Sequence, residues 1–269
     1  MGDLTFRALA AGPAGGRLVL LLHGFPQSSH EWAAQLVALA DAGYRAVAPD
    51  QRGYSPGARP DGIEPYGIDH LVADVLAMCD ELGAHQVDLV GHDWGAIVAW
   101  AVAARYPERL RTLTAVSVPH PHAFADAYDS PQSPQREMSS YIEVFRAPDG
   151  SGEAMLSDIG AMFRTAGLSP EAADAHAAVH GEPGALTAAL NWYRATHPTK
   201  MRGYPDVSVP VLFVWSTEDP AISRDAADAC AKYVTGPFRY EILEGVDHWV
   251  PELAADQLNG LLLQHLAVH

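Results

Sequence analysis

Apolar residues along the chain gather into short runs separated by longer stretches of mixed character. Leu18-Val-Leu-Leu-Leu22 is the clearest; others occupy 45–48, 87–90, 113–116, 211–215 and 239–243. Runs of this length, rich in valine and leucine and bounded by turn residues, read as strands buried on both faces, as in parallel sheets. The stretches 70–82 and 96–105 carry the alanine and leucine content that favours helix. Strand and helix alternate over most of the chain, which predicts an α/β protein built on a mostly parallel, doubly wound sheet.

The alternation lapses between about 120 and 204. Ser130-Pro-Gln-Ser-Pro134 opens that region, and alanine-rich stretches at 171–179 and 186–196 follow with no strand pattern between them. A helical insertion is expected there, lying as a lid over the C-terminal edge of the sheet, where open α/β sheets bind ligands. The expected division is a first core part at 1–120, a cap at 121–205 and a second core part at 206–269.

The most informative string is Val87-Asp-Leu-Val-Gly91-His92-Asp93-Trp94-Gly95-Ala96. A buried strand runs into G-x-D-x-G and then directly into a helix, the context of a nucleophile elbow, where small residues permit a strained turn that lifts one side chain above the sheet. Serine usually holds that place; an aspartate there attacks a saturated carbon and leaves an alkyl ester that water must hydrolyse. The competing reading is a helix-capping aspartate. Its weight falls once the partners are considered. His23-Gly24-Phe25-Pro26 follows the first strong strand, so the Phe25 and Trp94 amides are the expected oxyanion donors. An acid and then a histidine should come after the nucleophile. Asp219 follows one late strand and His248 the next, with Glu218 the chief competitor for the acid. Asp247 adjoins His248, but adjacent side chains diverge, so it is not expected to be the partner.

These strings make the sequence similar to the epoxide hydrolases of the α/β-hydrolase superfamily over nearly its whole length. The resemblance rests on His23-Gly-Phe-Pro26, Asp50-Gln-Arg-Gly-Tyr54, Gly91-His-Asp-Trp-Gly95, Ser117-Val-Pro-His-Pro121, Asn191-Trp-Tyr-Arg194, Asp219-Pro220 and His248. It implies an α/β-hydrolase fold with a cap, a cis bond before Pro26, and two cap tyrosines that donate hydrogen bonds to an epoxide oxygen. Tyr193 matches the second of these, and Tyr141, with Tyr128 in reserve, the first. Phenols suit the task because they stay neutral at pH 7 and can protonate a developing alkoxide. His23, Pro26, Trp192 and Trp249 are expected to contact substrate. In relatives a glycine commonly precedes the base histidine; here Asp247 does, and it is expected to raise the proton affinity of His248.

The same residues weigh against neighbouring activities. A haloalkane dehalogenase, the alternative, needs a second halide donor beside Trp94; Phe25 cannot donate, and Trp192 is the remaining candidate. Fluoroacetate dehalogenases use arginines where this chain has Trp94 and Ile97. A different class of reading is an idle hydrolase fold serving as a small-molecule receptor.

Composition narrows the partners. The formal charge of −16 opposes phosphate backbones and anionic lipid surfaces, which leaves a neutral or weakly polar small molecule. No apolar run is long enough to span a bilayer, and the N-terminal residues 1–7 lack a secretory pattern, so a cytoplasmic location is expected. Cys79 and Cys230 have no pairing or zinc spacing, His120-Pro-His122 has no third ligand, and no cofactor is expected. Oligomeric state is not legible, a homodimer included.

Overall fold

The computed structural model describes residues 4–200 and 202–269; Met1–Asp3, the start of the segment read for a leader, lie outside them. Seven strands form one sheet: β1 (Ala8–Ala11), β2 (Leu18–Leu22), β3 (Arg45–Pro49), β4 (Val87–His92), β5 (Leu110–Val116), β6 (Val211–Ser216) and β7 (Phe238–Leu243). Their order is β1-β3-β2-β4-β5-β6-β7, parallel throughout except for β1, which runs antiparallel along the edge of β3.

Two apolar layers sandwich the sheet. Leu18, Leu20 and Leu22 of β2 face the larger one; Val19 and Leu21 face the other, with Leu258 and Leu262. Strict alternation across a strand makes both faces necessary, and each fully buried leucine or valine contributes roughly 1.5–3 kcal/mol relative to exposure. Helices α1 (Ala33–Asp41), α2 (Ile68–Glu81) and α3 (Trp94–Arg105) connect the first five strands. Helix α3 runs through the middle of the core, and eleven of its residues, Trp94 to Ala104, are buried.

Strands β5 and β6 are hydrogen-bonded neighbours. Between them the described residues make seven α-helices: α4 (Pro121–Asp129), α5 (Gln135–Met138), α6 (Tyr141–Arg146), α7 (Ser151–Met155), α8 (Ile159–Thr165), α9 (Pro170–His180) and α10 (Ala185–Ala195). After β6 come α11 (Arg224–Asp228), α12 (Val250–Leu253) and α13 (Ala255–Val268), with β7 between α11 and α12.

Candidate active site

Asp93 follows β4 and precedes α3 with φ 50° and ψ −119°, outside the basins a side-chain-bearing residue prefers. Holding it there costs about 1–3 kcal/mol, which the surrounding packing must supply. Two glycines make the turn geometrically possible. A β-carbon on Gly91 would stand 2.3 Å from the Gly95 carbonyl oxygen, and one on Gly95 would stand 2.0 Å from that of Leu22. The turn therefore packs backbone on backbone and lifts Asp93 off the sheet edge. Its carboxylate makes no capping hydrogen bond to α3, so the capping reading fails and both oxygens remain for other partners.

Oδ1 accepts a hydrogen bond from the Phe25 amide at 2.8 Å, across the cis Phe25–Pro26 turn after β2. The Trp94 amide, expected to be the companion donor, makes no hydrogen bond to this carboxylate. Oδ2 lies 3.5 Å from His248 Nε2. His248 Nδ1 in turn stands 2.8 Å from Asp219 Oδ2. The other Asp219 oxygen accepts the amides of Ala221 and Ile222 at 2.8 and 3.0 Å, fixing the carboxylate plane. Glu218, its competitor, is exposed to solvent.

These charges set one another. Burial works against a charged imidazole, but Asp219 and then Asp93 more than offset it and hold the proton affinity of His248 well above the ordinary value. Burial likewise opposes ionisation of Asp93, and the hydrogen bond and charge of His248 overcome it, so that carboxyl lies below its usual range. Asp247, expected from the sequence to raise the proton affinity of His248, is not among the leading influences on it. Its carboxylate turns back to accept the amide of His248 at 2.5 Å.

Above Asp93 lies an apolar cavity with two lobes. Asp93, Tyr141 of α6 and Tyr193 of α10 line both. Trp94, Ile97 and Phe124 wall the first; Phe25, Phe145 and Trp249 wall the second, together with His248. The two tyrosine rings stand 6.3 Å apart and nearly perpendicular, and Tyr193 packs edge-on against Trp94 at 5.0 Å. Burial and then the charge of Asp93 push the pKa of Tyr141 up, and burial does the same for Tyr193 beside Tyr141 and Asp93, so both keep their O–H protons. Tyr128 is elsewhere, against His197 and under the Arg136 guanidinium.

Of the residues expected to contact substrate, Pro26 and Trp249 line the second lobe. His23 and Trp192 do not reach the cavity. His23 is fully buried, its Nε2 accepting the Gln51 amide at 3.0 Å and its Nδ1 2.9 Å from the Gly24 carbonyl. Trp192 donates its indole N–H to the Arg52 carbonyl at 2.9 Å. Its neighbour Tyr193 faces the cavity because consecutive helix positions point about 100° apart. His122 Nε2 accepts the Gly203 amide, and among the described residues no group of three or more metal-ligating side chains occurs. Sequence reasoning missed Ile142 and Phe145 as walls; for Phe145 the available signal was its i, i+4 spacing from Tyr141 on one helical face.

A parallel sheet, a strained elbow and an acid–histidine pair beyond later strands define a class. Residues 17–255 match the family model described as the alpha/beta hydrolase fold, and the chain belongs to that family. It is 36% identical to the AB hydrolase superfamily protein YfhM of Bacillus subtilis, an alignment covering 98% of this chain and 94% of that one. Within the family its place is with the epoxide hydrolases. It is 32% identical to epoxide hydrolase A of Mycobacterium tuberculosis, with the same coverage of 98% and 94%. The crystal structure of a Bacillus megaterium epoxide hydrolase in complex with an inhibitor superposes with a TM-score of 0.87 at 27% identity, over 97% of this chain and 96% of that one. No helix among the described residues is long and apolar enough to cross a membrane.

Proposed function

We propose that this protein is an epoxide hydrolase in which Asp93 is the nucleophile, His248 the base, Asp219 its orienting acid, and Tyr141 and Tyr193 the donors to the epoxide oxygen. The observation that carries the reading is one carboxylate facing an apolar cavity, with a carboxylate-backed imidazole 3.5 Å from one oxygen and two phenols lining the same space. The apolar walls suit a neutral epoxide bearing hydrocarbon substituents. In this reading the helices between β5 and β6, within residues 121–205, form the cap that carries both tyrosines, and 1–120 and 206–269 supply the core.

In the first step Asp93 Oδ2 attacks one epoxide carbon, that carbon–oxygen bond breaks, and the departing oxygen takes a hydrogen bond and then a proton from the tyrosine pair. A hydroxyalkyl ester is left on Asp93. In the second step water adds to the ester carbonyl while His248 takes its proton, and the Phe25 amide stabilises the oxyanion on Oδ1. Collapse breaks the ester bond: the departing diol oxygen takes the proton from His248 and the second proton of the added water returns to the phenolate, so that a vicinal diol is released and the water oxygen stays in the Asp93 carboxylate. Esterification removes the negative charge of Asp93, one of the two that hold a proton on His248. The imidazole thus releases its proton more readily once the ester has formed, which gives the neutral form that can take a proton from water.

Haloalkane dehalogenation needs two halide donors, and the indole of Trp192 is committed to the Arg52 carbonyl. A panel of aliphatic and styrene-type epoxides beside haloalkanes, scored for diol and for halide, tests the reading. Diol without halide is expected. Halide release, or no turnover of any epoxide, overturns it. In heavy-oxygen water, label should enter the Asp93 carboxylate during turnover; label found only in diol released on a first single turnover contradicts the ester.

A further inference from the structure

Behind the elbow lies an acidic residue that the mechanism does not use. Glu31 belongs to the single helical turn Ser29–Trp32 and is 1% exposed. Its Oε2 lies 3.3 Å from Nδ1 of His92, the residue before Asp93, and 3.4 Å from the amide of Gly24, the residue before Phe25. The other ring nitrogen of His92, Nε2, lies 3.0 Å from the backbone carbonyl of His248. That carbonyl also accepts Ser117 Oγ at 3.1 Å and the Val250 amide at 2.8 Å. Glu31 thus touches the oxyanion turn directly and the histidine loop through His92.

The donors and acceptors fix where the protons are. A carbonyl only accepts, so His92 Nε2 carries hydrogen. A neutral imidazole then has a bare Nδ1, and the proton between His92 and Glu31 must belong to the carboxyl group. The ionic alternative places a charge on each, yet Glu31 Oε1 is buried with no hydrogen-bond partner among the described residues. An anion with an unsatisfied oxygen is far costlier in that setting than the carbonyl oxygen of an acid. We propose that Glu31 is a neutral carboxylic acid that donates to His92 Nδ1, fixes the Nε2–H tautomer of His92, and so positions the His248 loop and the oxyanion turn for the reaction proposed above, on which its role in catalysis rests.

The groups around Glu31 agree. Burial pushes its pKa well above the ordinary carboxyl value, Glu252 and Asp93 add to the effect, and Gly24 and His248 oppose it only in part. Burial, followed by the charge of His248, lowers His92 to about 3, so it stays neutral at working pH.

Glutamine can still donate to Nδ1, whereas leucine cannot. Glu31→Gln should therefore retain most of kcat, while Glu31→Leu should lose about tenfold, the worth of roughly one hydrogen bond, with KM little changed. The loss should fall on ester hydrolysis, so the leucine variant accumulates ester in single-turnover mass spectra. The pH profiles of wild type and E31Q should coincide, because no charge is removed. An anionic Glu31 would instead make the glutamine variant as poor as the leucine one and move its basic limb to lower pH, which would overturn the proposal. Infrared difference spectra between wild type and E31Q at pH 8 read the protonation state without turnover and without the leucine variant. A carboxylic-acid C=O band assigned to Glu31 is expected, and carboxylate bands in its place would refute the neutral acid. If that band appears in a protein that turns over no epoxide, the functional reading has failed while the neutral acid stands. If epoxide is hydrolysed with carboxylate bands at Glu31, the reverse holds.

Discussion

Strand β4 carries one aspartate near its start and releases another just past its end, both buried, and the contrast between them separates a structural carboxylate from a reactive one. Both Asp88 oxygens are engaged. Arg17 meets them with Nε at 2.6 Å and a terminal nitrogen at 2.5 Å, and Thr112 adds a hydroxyl at 2.8 Å. Asp93 has one amide at 2.8 Å on Oδ1 and an imidazole no nearer than 3.5 Å on Oδ2, with the cavity beyond. The pairing satisfies Asp88 and ties β4 to β5 and to the start of β2. Asp93 is charged and under-satisfied by design of its surroundings, and an oxygen with lone pairs to spare is what a nucleophile requires. Burial and residue type are the same at both ends, so partner saturation decides the role.

The sharpest break of this contrast is Asp93→Ala, expected to lower diol formation by roughly 10⁴-fold or more, as loss of a covalent nucleophile does elsewhere. Rates on purified, folded variant would check it, and a loss under tenfold would end the claim that Asp93 is the reactive one. His248→Gln should slow turnover by about 10³-fold by stalling ester hydrolysis. Mass spectrometry should find the adduct on Asp93; an unmodified protein would remove the base from its assigned step. Tyr193→Phe should cost about 10–100-fold in ester formation, one hydrogen bond to a charge-bearing oxygen, while ester decay stays unchanged. Stopped-flow separation of the two phases decides, and equal slowing of both would argue against an oxygen donor.

At the saturated end the expectation reverses. Asp88→Asn should leave kcat within about twofold but reduce stability by about 3 kcal/mol, the low end for breaking a buried pair, since Arg17 keeps some contact with water. Urea unfolding at constant m would measure it. The smallest effect concerns pH. Because Asp93 helps hold the proton on His248, the ester form should deprotonate His248 more readily than the free enzyme. Ester decay should therefore keep its rate down to a pH below the His248 midpoint found by NMR in the resting protein. Coincident midpoints would mean that the charge of Asp93 contributes little.

Much of this is legible in the amino-acid sequence. Six strands and the helices flanking the elbow could be read because buried parallel strands announce themselves as apolar runs, and they appear within a few residues of the expected bounds. Strand β1, Ala-Leu-Ala-Ala, could not: an antiparallel edge strand of half-exposed alanines has neither the run nor the β-branched content that marks a strand. The elbow was legible because close backbone packing restricts two positions to glycine. His23 and Trp192 were misplaced for the opposite reason. Trp192 adjoins Tyr193 and His23 lies two positions before Phe25, and nearness along a chain says nothing about the direction of a side chain. Glu31 went unnoticed because a lone acid beside a tryptophan reads as surface; only the fold reveals that it is enclosed.

The seam between β5 and β6 has a consequence for assembly. Val116 pairs with Val214, and on one side of that pairing lies the strand run carrying Asp93, on the other the loops bearing Asp219 and His248. The chain must leave, build seven helices and come back before the two halves meet, a closure across great sequence distance and thus a slow one. Until it completes, the aspartate and the imidazole belong to separate parts of an unfinished chain. The closeness of Asp93 and His248 therefore depends on a seam whose two strands are far apart along the chain.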